Sequence, residues 1–405
     1  MNKIASIGFV GLCCICSSAA FAQSDPQASV DVSVGAGIAS NPFLYEDSEA
    51  AGSASLNISP RLIFEDEISK TVFGGNLRLA QYTNRYGTDI AGRLQVSDER
   101  LINERTTLRI AASLLSSRSA LQDGLLTVEG PQPGPGPTLP PVLPPVDTTI
   151  AGTRSRVTSL NSSIGMTYAL DEVSSINLST SLSGAYFGDD VGYDYRSVGT
   201  QVGYQRRLSD RTSINIGVQG SLVDYLGRKT GDSRIVSPTI GVQHQLSDRI
   251  SVSANVGISN VRTNIGPAGH SEVTSFAGSL GVCSESERQS MCLSASRSAQ
   301  PTALGGVSTV SSIAITYSAQ ISSVDRFSLA ARYGKTDQKT NGLSGLPFFR
   351  VTEIAGVSGS YSRELNDRLT LSVTPSYSKV YDAASKRDAN FAVMANLTMR
   401  FGSKR

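Results

Sequence analysis

The chain has 405 residues, a formal net charge of +2, 39% hydrophobic and 17% charged residues, 38 glycines and no tryptophan. So balanced a charge gives no bulk attraction for nucleic acid or a strongly acidic partner. Beyond the N-terminal region no run approaches the roughly 18 to 20 uninterrupted apolar residues of a membrane helix, which excludes a helical anchor from the mature chain.

The N-terminus, "MNKIASIGFVGLCCICSSAAFAQS", carries Lys3, an apolar run and Ala20-Phe21-Ala22 as a small-x-small cleavage signal. Residues 1–22 read as a signal peptide and 23–405 as the mature protein, secreted to the periplasm. From there the chain alternates apolar and small polar residues, as in "TSINIGVQGSLVDY" and "FAVMANLTMRF". A two-residue period puts successive side chains on opposite faces of a strand.

The runs are punctuated by short turn sequences, "EDEIS", "LINER", "ALDEVS", "LSDR" twice, "SSVDRF" and "LNDR". They recur about every 38 residues, with two long strands to each period rather than the four short ones of a propeller blade. A strand of about 11 residues, tilted by about 40°, rises roughly 28 Å, the height of a transmembrane apolar band. The fold expected is all-β, a transmembrane antiparallel up-and-down barrel of about 18 strands (16 to 18), with both ends in the periplasm and the punctuation at the inner turns. Its place is a Gram-negative outer membrane, in contact with outer-membrane lipid.

The one long interruption, "PQPGPGPTLPPVLPP", falls in an outer loop at about 118–153. Prolines there favour an extended, solvated conformation. Tyr82, Tyr186, Tyr225, Tyr333 and Tyr381 stand where strands meet loops and read as an interfacial aromatic girdle. Cys283 and Cys292 flank a turn, and a cross-strand disulfide is expected in an oxidising periplasm. A metal site is not expected, because His244 and His270 are the only histidines.

With the apolar face outward, Arg78, Arg93 and Arg109 have inward parity, at heights that look comparable when counted from their inner turns; Arg207, Arg332 and Arg400 share that parity. Two readings follow: a basic lumenal patch for carboxylates or phosphates, or arginines paired with turn and loop carboxylates. His244 faces outward beside a turn and His270 lies in a loop, so no catalytic constellation is assembled and no enzyme or cofactor is expected.

The opening "DVSVGAGIASNPFL", with Gly37, Asn41, Pro42 and Phe43, together with "SASLNISPRLIFED" and the hairpin pattern, resembles outer-membrane β-barrel proteins associated with exopolysaccharide biosynthesis and export of the gellan or sphingan type. The resemblance implies an export or surface-assembly role, with an anionic polysaccharide and periplasmic export proteins as partners, and carries over no catalytic residue. A general porin for small solutes, expected to have an inward-folded constriction loop, and a surface scaffold with a blocked lumen are the alternatives.

Overall fold

The computed structural model describes residues 26–118, 156–188, 192–227, 230–303, 305–337, 352–381 and 387–402. The signal-peptide and proline-rich readings lie outside these residues. The described chain forms 18 strands: β1 (Gln27–Ala39), β2 (Ala51–Glu65), β3 (Ser69–Tyr82), β4 (Thr88–Asn103), β5 (Thr106–Ser117), β6 (Val157–Ala169), β7 (Ser174–Phe187), β8 (Tyr195–Ser209), β9 (Thr212–Tyr225), β10 (Ser233–Ser247), β11 (Ile250–Asn264), β12 (His270–Glu285), β13 (Gln289–Pro301), β14 (Val307–Gln320), β15 (Asp325–Asp337), β16 (Thr352–Asn366), β17 (Leu369–Tyr381) and β18 (Asn390–Gly402). Each pairs antiparallel with its neighbours in sequence, and β1 pairs with both β2 and β18. The sheet is closed, and no edge is left to satisfy in an apolar medium.

The strand alternation sorts the two faces. Ile216, Val218 and Leu222 on β9, Ile240 on β10, and Val256 and Ile258 on β11 point outward and are exposed. The same pattern runs round the barrel, and a continuous apolar surface of this kind is stable only against lipid. Inward positions carry Ser, Thr, Asn, Gln and Gly. Gly241 shows why the glycines recur: the Asn215 amide donates to Asn255 Oδ1 (3.0 Å) directly over it, and a Cβ on residue 241 would collide with both side-chain oxygens.

The inner turns share one chemistry, in which a Ser, Asn or Asp side chain accepts from backbone N–H groups just ahead. Ser247 Oγ takes Arg249 N and Ile250 N (3.3 and 3.2 Å), and Asn366 Oδ1 takes Arg368 N and Leu369 N (both 2.9 Å). In "LSDR" and "LNDR" the acceptor is therefore the residue before the aspartate. The aspartate and arginine form the turn tip, and Arg211 reaches Asp248 of the next turn (3.4 Å). At two other turns the aspartate itself accepts. Asp66 Oδ1 takes Ile68 N (2.9 Å) and Asp171 Oδ1 takes Val173 N (2.8 Å), and these bonds hold both carboxyls below the usual range.

The Asn-Pro-Phe sequence has a structural role at the closure seam. Asn41 N–H donates to Asn390 Oδ1 (3.0 Å), Asn41 Nδ2 donates to Tyr45 O (2.9 Å) and Asp388 O (3.1 Å), and Asn41 Oδ1 accepts from Tyr45 N (3.0 Å). This folds the β1–β2 connection inward and buries Phe43 against Tyr82 and Tyr86.

The aromatic girdle expectation needs correcting. Tyr186, Tyr333 and Tyr381 have outward parity, but Tyr82 and Tyr225 end their strands on the inward face, where loops cover them.

Candidate functional site

Most of the lumen wall is hydroxyl and amide. Gln201 and Gln219 sit directly opposite each other on β8 and β9 and are exposed to the interior, as are Asn161, Ser181, Ser279 and Ser296 at other points of the wall. Such groups donate and accept hydrogen bonds without selecting a charge.

Lumenal charges concentrate at the inner rim, and most are matched across adjacent strands. Arg400 forms a two-pronged pair with Asp31 (2.7 and 2.8 Å), Arg109 meets Glu99 (2.9 Å), Lys70 meets Glu65 (3.0 Å) and Arg326 meets Glu364 (3.3 Å). Arg207 donates to the Glu172 carbonyl at 2.6 Å. Pairs this exposed contribute roughly 0 to 1 kcal/mol each to stability. Their consequence is electrostatic: the rim presents alternating, largely cancelling charge.

The expected patch of Arg78, Arg93 and Arg109 does not assemble. Arg93 pairs in register with Asn76 and Leu115, so Arg78 is its diagonal neighbour, whereas Arg109 lies six residues down β5 from Leu115, roughly 20 Å away. Counting from the turns fails because register, not distance from a turn, sets which residues face one another in tilted strands. Arg78 is also matched, by the buried Asp89 at 3.3 Å. Arg93 makes no ion pair among the described residues, and Arg332 is 4% exposed, walled in on β15. Of the two readings of these arginines, the geometry favours pairing over a shared anion site.

The histidines stand apart from any such groups. His244 faces outward with its Nδ1 at 2.8 Å from Thr212 Oγ1, and His270 opens β12. Cys283 and Cys292 are joined in a disulfide, directly opposite each other on the inward face near the β12–β13 turn.

That disulfide lies below the main departure from a simple barrel. The β12–β13 ladder runs from Glu285↔Ser290 only as far as Gly278↔Arg297, although both strands continue. Above that point β13 parts from β12 while β14 stays paired with β15 as far as Thr309↔Asp337, and the tip of the β13–β14 hairpin bends inward to dock four strands away on the inner face of β8 and β9. Four strand spacings of about 4.8 Å make this a reach of roughly 20 Å.

There the Tyr225 hydroxyl accepts from Thr302 N–H (3.1 Å) and directs its proton at Gly306 O (2.5 Å) and Thr302 O (2.9 Å), while Ala303 O accepts from Tyr193 N–H (2.7 Å). Val307 packs into a cluster with inward-facing Val223, Ile235 and Val261, with Ala299 against it. Val307 and Ala299 have the parity that, lower on the same strands, faces lipid as Leu293 and Ile313. The hairpin has thus turned its outer face onto the inner wall of β9, β10 and β11. Gly305 and Gly306, at φ 89° and 84°, supply the left-handed turn this requires.

Tyr225, Thr302 and the Gly305–Gly306 pair were not legible as a site in the sequence. The available signal was the charge-free run 299–316 at a level where other hairpins carry charged loops.

No family model and no curated protein sequence matches the chain. Among solved structures, it is similar to the FrpB iron transporter from Neisseria meningitidis (F5-1 variant), with 11% identity and a TM-score of 0.44 over 89% of this chain and 64% of that one. It is also similar to Pseudomonas aeruginosa OccK2 (OpdF), with 11% identity and a TM-score of 0.45 over 94% and 99% of the two chains. A BenF-like porin from Pseudomonas fluorescens Pf-5 gives 10% identity and a TM-score of 0.45 over 94% and 99%.

Proposed function

We propose that the protein is an outer-membrane diffusion channel for small polar solutes, with small neutral carbohydrates as the class its wall suits best. The observation that carries this is the tip of the β13–β14 hairpin, folded into the lumen and held through Tyr225 against the inner wall of β9 to β11. An inward-folded element narrows a barrel to solute size while leaving the rest of the lumen open to water.

The hydroxyl and amide lining supports uncharged solutes, since it offers both donors and acceptors. The matched charges of the inner rim support weak ion selectivity. Passage of a polymer would require the hairpin to swing back to the wall, and no observation ties the chain to an exopolysaccharide apparatus. The test is solute flux in liposomes: mono- and disaccharides should enter faster than size-matched anions or cations, and exclusion of every sugar tried would refute the proposal.

A further inference from the structure

We infer that Arg234 and Arg262 form a binding site for a phosphate of an outer-leaflet lipid headgroup. The inference rests on the membrane placement proposed above and not on the channel's conducting.

Arg234 on β10 and Arg262 on β11 are directly opposite each other, which puts their Cα atoms about 4.5 to 5.5 Å apart. Both have outward parity and both are exposed. Like charges directly opposite on neighbouring strands repel, so the placement favours an anion beyond the one that Glu272 supplies opposite Arg262.

The nearest carboxylates are already engaged. Asp224, on the neighbouring strand β9, accepts from Arg196 Nε (2.7 Å). Glu272, opposite Arg262 on β12, accepts from the neutral Asn260 Nδ2 (2.8 Å) and keeps its charge, which offsets one of the two arginines and leaves the other uncompensated. Neither Arg234 nor Arg262 makes an ion pair or a side-chain hydrogen bond among the described residues.

Height selects the anion. On both strands the outward apolar positions end just below the pair, at half-buried Val236 and exposed Ile258, and the arginines begin at the outer end. That is the level where hydrocarbon gives way to headgroups. Two guanidinium forks on one face match the tetrahedral oxygens of a phosphate ester, whose acyl chains would lie along Ile240, Val256 and Ile258.

The experiment is native mass spectrometry of the full-length protein titrated with lipid A, dephosphorylated lipid A and inorganic phosphate. The wild type should retain lipid A about tenfold better than its dephosphorylated form, and R234Q/R262Q should lose that preference. R262E, which supplies Arg234 with a partner, should lose it as well. Excess inorganic phosphate should not displace the lipid.

Equal retention by wild type and R234Q/R262Q would overturn the inference, and displacement by phosphate alone would assign the site to a free anion instead. If the variants fail to fold, the wild type decides the matter: its thermal midpoint must rise more with lipid A than with the dephosphorylated lipid, and equal midpoints refute the site. A protein that binds lipid A but admits no sugar would sink the channel proposal and leave this one standing.

Discussion

Tyr225 carries more of the proposed function than any other side chain, because one hydroxyl serves three backbone groups of the hairpin tip in a buried setting. Tyr225→Phe strands those groups, at about 1 to 3 kcal/mol of local stability. The expected outcome is a faster-exchanging Thr302 amide by hydrogen exchange with the barrel amides unchanged; protection equal to wild type would contradict the latch. At the inner turns, Asp66 and Asp171 have folded pKa values below those of the unfolded chain. Their contribution is complete at neutral pH and is lost as pH falls below about 4. The urea midpoint should therefore drop more between pH 7 and pH 3 in the wild type than in Asp66→Asn/Asp171→Asn, and equal drops would remove the turn carboxylates from the account. Residue faces were legible in the sequence because parity is local. The partners of Arg78, Arg109 and Arg400 were not, because they depend on register.

The β13–β14 hairpin is the element that departs from the repeat. Below Gly278↔Arg297 it is an ordinary pair of wall strands, and the Cys283–Cys292 disulfide ties its base to β12. A cross-link between residues nine apart in sequence contributes about 2 to 3 kcal/mol by restricting the unfolded chain. Cys283→Ser/Cys292→Ser should lower the urea unfolding free energy by that amount and make single-channel currents noisier, since the seam below the split is freed. A quiet channel of unchanged stability would show that the disulfide does not restrain the hairpin. The sequence spacing located the cysteines and their turn, since both lie within one hairpin. It did not single out residues 302–306, since docking on Tyr225 is a contact between residues 77 apart in the chain.

At the scale of the molecule, closure was legible. Strand length, alternation and the repeated turn chemistry all follow from neighbours in sequence, and together they lead to 18 strands, an even number that brings both ends to the same side. The pore's bore and charge were not legible, because both are set by what folds into the lumen and by which charges meet across it. Single-channel conductance in planar bilayers reads the bore itself, in the wild type and in a variant lacking residues 302–306. If the docked hairpin sets the bore, the variant conducts severalfold more than the wild type, and both show near-equal permeability to potassium and chloride. An unchanged conductance on removing the tip, or a strongly anion-selective wild type, would contradict the account.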